Sequence, residues 1–308
     1  MLPNVILDEA ALSYSKMLQA LGSIEKFETH DCVTANLTDC NILLANAPMA
    51  EAFLRAGHRA NWIQSTWAGN AALIPLLQQT ETCLTGVKGV FGPLVAEYVF
   101  SYILPEIRDR SRLENAQKEH RWDLFEPGSL QDKVFVFIGT GSIGSHVARV
   151  AKLFGMSTIG VSRSGLTKEG YDQVYPVTRL RQAVATADYI LLSVPETPET
   201  FRLVNKAVLD EVRQGATLIN VGRGSTLDIG SMSNAIHEGR LGAAILDVFD
   251  EEPLAASHPL WDSPRVTITP HLAAISNPEV IVKKFMNNLK HYRQGEELED
   301  RIDLTKGY

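Results

Sequence analysis

The sequence predicts a doubly wound parallel α/β domain of Rossmann type, preceded by a smaller α/β domain. Three observations predict it. From about residue 131, short apolar runs alternate with helix-like stretches, and a glycine-rich loop sits at the first strand-to-helix junction. The third is length: 308 residues suit about two domains of roughly 150 each.

The runs cover residues 134–138, 157–161, 189–194, 217–221, 243–248 and 266–268. They are apolar throughout rather than alternating, as a parallel strand covered on both faces requires. After the first, Ile143, Val147, Val150 and Phe154 recur at helical spacing, the stripe of a helix docked on a sheet. Further helices are expected over 178–186, 206–213 and 230–238, and strands separated by helices specify an α/β layer structure. Before residue 100, strands are expected at 4–7, 41–44 and 61–65, with helices near 9–21 and 49–56. Residues 93–112 read as one long helix, with Pro93 in the first turn where its missing N–H costs nothing. A last helix near 278–293 follows the sixth run and is expected to cross back to the first domain. The expected division is 1–95 with 276–308, and 96–275 between them.

A composition of 45% apolar and 21% charged residues is that of an ordinary globular protein. With 29 basic against 36 acidic residues, a net charge of −7 and no Lys/Arg block, neither a nucleic acid nor a membrane surface is an expected partner. Cys32, Cys40 and Cys83 are too few and scattered for a disulfide framework or a metal site, and they suit a reducing compartment. The opening MLPNVILDEAAL lacks the basic and apolar regions of a signal peptide, so a cytoplasmic location is expected.

The loop GTGSIG places Gly139, Gly141 and Gly144 between a strand and an amphipathic helix. In order, they serve a tight turn, close approach to a pyrophosphate, and close helix–sheet packing. Ser142 and Ile143 open the helix, whose free N–H groups and dipole favour an anion, and they join the expected cofactor-binding set. The alternative is an ordinary glycine turn, which the strand–loop–helix context disfavours. A carboxylate ending the second strand would accept the ribose hydroxyls of NAD. This chain has Ser162, Arg163 and Ser164 there, and a guanidinium between two hydroxyls suits a phosphate. NADP(H) is therefore expected over NAD(H), without excluding the latter; an exposed loop arginine is the plainer alternative.

Ligands of open α/β sheets lie outside the carboxyl ends of the strands. Those ends bear Gly139–Gly144, Ser162 and Arg163, Pro195, Gly222 and Arg223, Asp247, and Pro270 and His271. Arg223, between two glycines, suits a carboxylate bidentately, or else forms a structural ion pair. His271 follows Pro270, and Glu252 in DEEPL follows the preceding strand. A carboxylate beside an imidazole orients it and suits it to act as an acid near neutral pH. Spacing alone leaves Glu251 and Asp250 as alternative partners. Asp247 interrupts an apolar run, so it needs a ligand such as a carboxamide, or a backbone amide.

Together these residues resemble the D-isomer-specific 2-hydroxyacid dehydrogenases over most of the chain. Trp122, GTGSIG, SVPETPET, LINVGRGSTLD, LDVFDEEPL, HPLW and VTITPHLAA occur in family order. Within the family the chain looks most similar to the glyoxylate/hydroxypyruvate reductase A group, through its Ser162–Arg163 pair, TPHLAAIS, and the tail Lys306, Gly307 and Tyr308. The resemblance implies a Rossmann domain plus a smaller flavodoxin-like substrate domain completed by the last helix, in a homodimer. It also implies that Arg223 binds the substrate carboxylate, that His271 protonates the 2-oxo oxygen, and that Glu252 holds His271. Pro195, Val221 and Asp247 become implied cofactor contacts, and Ala68 and Gly69 the loop that receives the substrate carboxylate. There the match is looser: Ala71 stands where the family commonly has Asp, and Trp67 adds bulk. The implied activity is NADPH-dependent reduction of glyoxylate and hydroxypyruvate. A non-catalytic dinucleotide sensor of the corepressor kind and a dehydrogenase of a bulkier D-2-hydroxy acid are the other readings.

Overall fold

The computed structural model describes residues 2–23, 25–34 and 37–307, so Tyr308 of the tail motif lies outside the described residues. The chain divides into two compact units, Met1–Val90 with Ser276–Tyr308, and Phe91–Ile275.

The first unit opens with β1 (Asn4–Leu7), α1 (Ala11–Ala20), β2 (Phe27–His30), β3 (Cys40–Ala45), α2 (Ala47–Arg55), β4 (Ala60–Ser65), α3 (Ile74–Leu77) and β5 (Cys83–Thr85). Its sheet has the order β2-β1-β3-β4-β5, every pair parallel, which is the flavodoxin-like arrangement. The central strands are apolar because both faces are covered: Val5, Ile6, Leu43, Leu44, Trp62 and Ile63 are all buried. Asn46 caps α2 by accepting from the Met49 N–H at 2.9 Å. Two edge strands escape the apolar-run signal. β2 is the polar stretch FETH, and β5 spans only three residues.

The second unit contains α4 (Gly92–Ile107), α5 (Arg110–Lys118), β6 (Val134–Ile138), α6 (Ser142–Leu153), β7 (Ser157–Ser162), β8 (Gln173–Pro176), α7 (Leu180–Val184), β9 (Tyr189–Leu192), α8 (Lys206–Leu209), β10 (Ala216–Asn220), α9 (Ile229–His237), β11 (Leu241–Leu246) and β12 (Val266–Ile268). The strand order is β12-β11-β10-β9-β6-β7-β8, again parallel throughout. Adjacent residues of its strands serve opposite cores, as a period of two requires. Val136, Ile138, Ile190 and Leu218 face one core with Leu180, Leu209 and Ile236. Phe135, Phe137, Leu191 and Ile219 face the other with Val99, Ile103, Val147 and Ala151.

Two expectations need correction here. The single helix over 93–112 is two helices, because Asp109 adopts a left-handed φ of 47° between them. The strand β8 was not expected: it is a half-buried edge strand ending on Pro176, which a central position would not tolerate. The two compact units meet in sequence at Val90 and Phe91, close to the expected division, and α4 packs into the second core from Val95 onward.

The chain then returns to the first unit through α10 (Pro278–Gln294), capped by the Asn277 side chain and ended by Gly295 at φ 67°. Ile281, Val282, Phe285 and Leu289 bury its inner face, and Phe285 stacks on Trp62 with ring centroids 5.1 Å apart. No helix among the described residues is long and apolar enough to cross a membrane.

Candidate active site

The glycine loop follows β6. Gly139 takes φ 105°, a conformation closed to most side chains, and its N–H donates to Val161 O at 2.9 Å. A Cβ on Gly144 would lie 2.2 Å from the Gly139 carbonyl oxygen, so α6 can pack this closely only with glycine there. Gly141 differs: a Cβ on it would meet nothing within 4 Å. This glycine answers to no protein neighbour and leaves room where a ligand would approach. No side chain caps α6, which leaves its first N–H groups, at Ser142 and Ile143, without a capping side chain. The residues present therefore fit a dinucleotide pyrophosphate.

Ser162 closes β7, and its hydroxyl accepts from the Gly165 N–H at 3.0 Å, which folds the following turn with Arg163 and Ser164 on its exposed side. Glu199, on the loop after β9, is held below the usual carboxylate range by its own backbone N–H, the Thr197 hydroxyl and the charge of Arg163. Pro195 lies on that loop, and its carbonyl accepts from the Thr200 hydroxyl at 2.7 Å.

After β10, Val221 donates its N–H to Leu192 O at 3.1 Å, and the chain turns into Gly222 and Arg223. Asn220, fully buried at the strand end, braces this turn: its amide donates to Arg223 O at 3.1 Å and accepts from the Gly222 N–H at 3.1 Å. The Thr226 hydroxyl also donates to Arg223 O, at 2.6 Å. Burial lowers the Arg223 guanidinium from its ordinary range, while the carboxylates of Glu196 and then Glu252 oppose that shift. Gly224 brings the Arg223 loop onto the turn that carries Glu252. A Cβ there would fall 2.0 Å from the Phe249 carbonyl carbon.

On that turn the acidic residues separate. Asp250 pairs with Arg202 at 2.6 Å, whereas Glu252 Oε2 lies 2.7 Å from His271 Nδ1. Glu252 is itself fixed, its Oε1 accepting from the Phe249 N–H at 2.9 Å. The His271 side chain is 46% exposed, so the rest of its ring is open to a ligand. Asp247 is buried at the end of β11. Its Oδ1 accepts from the Thr269 hydroxyl at 2.6 Å and the Leu272 N–H at 2.9 Å, and its Oδ2 from the Ala273 N–H at 2.9 Å. Its polar needs are thus met largely by the His271 turn. Arg223, Glu252, His271 and Asp247 are brought together at the carboxyl ends of β10, β11 and β12.

Ala68 and Gly69 belong to the first unit, at the carboxyl end of β4. Their loop is anchored by Thr66, whose hydroxyl donates to Asp8 Oδ2 at 3.1 Å and whose carbonyl accepts from the Ser276 hydroxyl at 2.7 Å. Burial raises the Asp8 carboxyl above its ordinary range, with the Ala10 N–H and Thr66 opposing. Sequence reasoning missed Asn220, Thr269 and Asp8. The available signal was a polar residue closing an apolar run, which was read only at Asp247.

A family model for "D-isomer specific 2-hydroxyacid dehydrogenase, NAD binding domain" matches residues 100–273. The chain belongs to this family. This dehydrogenase-family oxidoreductase is 31% identical to a glyoxylate/hydroxypyruvate reductase A of Serratia proteamaculans over 76% of this chain and 73% of that protein. A solved D-isomer-specific 2-hydroxyacid dehydrogenase family protein of Aeromonas salmonicida superposes with a TM-score of 0.90 at 35% identity, covering 98% of this chain and 99% of that one. A D-isomer-specific 2-hydroxyacid dehydrogenase of Xanthobacter autotrophicus, solved with NADPH and MES, gives 0.87 at 25% identity with complete coverage of both chains.

The contact at Gly224 yields a prediction for this family member. Gly224→Ala sets a methyl group against backbone that cannot move aside, an overpacking of about 1–3 kcal/mol. Thermal unfolding should show a lowered midpoint; an unchanged midpoint would mean that the two turns do not need their close contact.

Proposed function

We propose that the chain is an NADPH-dependent reductase of small 2-oxo acids, with glyoxylate and hydroxypyruvate as its first substrates. The observation that supports this most is the 2.7 Å His271–Glu252 pair on a turn packed against the loop of the half-buried Arg223. The Serratia reductase and the NADPH-bound Xanthobacter structure support the substrate and cofactor classes.

In this reading Gly139, Gly141, Ser142, Ile143 and Gly144 hold the pyrophosphate, and Ser162, Arg163 and Ser164 the 2′-phosphate. Pro195, Val221 and Asp247 border the nicotinamide half. When bound, NADPH supplies the hydride that reduces the 2-oxo carbon. Arg223 binds the substrate carboxylate through its fork of N–H donors and polarises the neighbouring oxo group. Since Nδ1 of His271 is engaged by Glu252, Nε2 is the nitrogen that delivers the proton to the forming alkoxide. Glu252, fixed by Phe249, stabilises the imidazole's orientation before and after transfer. Ala68 and Gly69, in the first unit, correspond by the resemblance to a loop whose backbone N–H groups receive a substrate carboxylate.

The decisive assay follows loss of reduced-nicotinamide absorbance with glyoxylate, hydroxypyruvate and pyruvate, each against NADPH and NADH. Fast NADPH oxidation with the first two is expected; NADPH binding without oxidation would move the reading to a dinucleotide sensor. His271→Ala should lower kcat by about 10²–10⁴-fold, the range for a positioned proton donor. Full turnover in that variant would remove His271 from the role.

We also propose a homodimer formed through the second unit. Trp122 and Leu124 are 90% and 82% exposed on the segment after α5, more than two large apolar side chains favour in a lone chain. The segment is held rather than loose. Arg112 and Arg121 bind Asp123 and bring its carboxyl down to about 2, and Arg112 lies 4.2 Å over the Phe125 ring. Sedimentation should report a dimer, and Trp122→Asp should shift it toward the monomer. A monomer at assay concentrations would overturn this assignment.

A further inference from the structure

Beneath the turn that carries His271 lies a buried line of three side chains from three elements. Tyr98, from the middle of α4, places its hydroxyl 2.7 Å from Thr269 Oγ1. Thr269, just after β12, places Oγ1 2.6 Å from Asp247 Oδ1. A carboxylate only accepts, so the Thr269 proton goes to Asp247, and Thr269 is left to accept the proton of Tyr98. Burial pushes the Tyr98 phenol far above its ordinary range; the Thr269 bond opposes this, and the nearby Asp247 and Tyr102 reinforce it. Near neutral pH Tyr98 is thus a protonated donor.

What the line supports is a conformation that would not hold itself. His271 sits at φ 52°, in the left-handed region that only a few per cent of non-glycine residues occupy, histidine among the more frequent. Its own N–H donates to Asp247 O at 2.9 Å and also reaches Thr269 O at 3.1 Å. The next two N–H groups, of Leu272 and Ala273, end on the Asp247 carboxylate. Strained backbone of this kind persists only where the surroundings over-determine it. Asp247 and Thr269 do so from within the sheet edge, and Tyr98 is the outermost member, on a helix more than 170 residues away in sequence.

We infer that Tyr98 is a positioning residue for His271: its hydroxyl fixes Thr269, Thr269 fixes Asp247, and Asp247 sets the turn that aims the imidazole at Glu252. The inference rests on the reading of His271 as proton donor. Tyr98 touches neither substrate nor cofactor and acts only through this line.

The test is Tyr98→Phe in the full-length protein, which keeps the ring and removes the hydroxyl. With glyoxylate and NADPH, kcat should fall about three- to ten-fold, the range for one buried hydrogen bond. KM for glyoxylate should stay within about two-fold. The solvent deuterium isotope effect on kcat should rise, because proton delivery becomes slower while hydride donation is untouched. Amide hydrogen exchange should quicken in residues 269–273 and not along α4. Thr269→Ser should retain near-normal kcat, and Thr269→Val should reproduce the defect. Normal kcat with an unchanged isotope effect in Tyr98→Phe would overturn the inference, as would a defect spread equally over KM, stability and exchange along α4. Should the parent protein reduce no 2-oxo acid, the reductase reading falls and exchange decides the inference alone. Quicker exchange confined to 269–273 upholds it, and unchanged exchange there overturns it.

Discussion

Parallel pairing delivers the carboxyl ends of neighbouring strands to one edge of a sheet, where the chain must leave its ladder of hydrogen bonds and find other partners. In the second unit that single constraint gathers the chemistry. β6, β7, β9, β10, β11 and β12 each release a turn at this edge, and every turn needs donors and acceptors to replace the ladder. Asn220 meets the need after β10 and Asp247 after β11, both as buried polar residues terminating apolar strands. The groups that complete the strand ends also set the backbone from which Arg223 and His271 project. Folding requirements and site geometry are therefore met by the same hydrogen bonds.

Glycine sets the second constraint, through how close two backbones can come. Gly144 against Gly139 and Gly224 against Phe249 are both distances at which any side chain would overlap main-chain atoms. The first seats a helix end above the glycine loop, and the second seats the arginine loop on the acidic turn. Gly141 has open space instead, so no neighbour within the chain requires a glycine there.

Much of this was legible in the sequence because it is local. Continuous apolar runs marked the central strands of the second unit, shorter strand-like pieces marked those of the first, and the glycine spacing marked the loop that joins β6 to α6. What escaped depends on the short, the polar or the distant. β2, β5 and β8 are edge strands with little apolar signal, and the break at Asp109 depends on one residue's backbone angle. Sequence spacing left Asp250, Glu251 and Glu252 equivalent; Arg202, some fifty residues earlier, takes Asp250, while Glu252 meets His271. Tyr98 and Thr269 were invisible for the same reason, since a hydrogen bond across 171 positions has no local pattern.

The first unit is built from both ends of the chain, and that has a consequence for its birth on the ribosome. Residues 276–308 are made after the whole of the second unit, yet they supply α10, which covers Trp62 with Phe285 and satisfies Gln64 with Asn288. They also supply Asp300 and Ile302, which bond to Gly86 and Leu84 at the edge of the sheet. During synthesis the amino-terminal sheet therefore waits with one apolar face covered by α1 alone, while the continuous segment Phe91–Ile275 has all its own core residues in hand. Vectorial synthesis thus favours the nucleotide-fold unit maturing first and leaves the amino-terminal unit as the stage exposed to chaperones and aggregation.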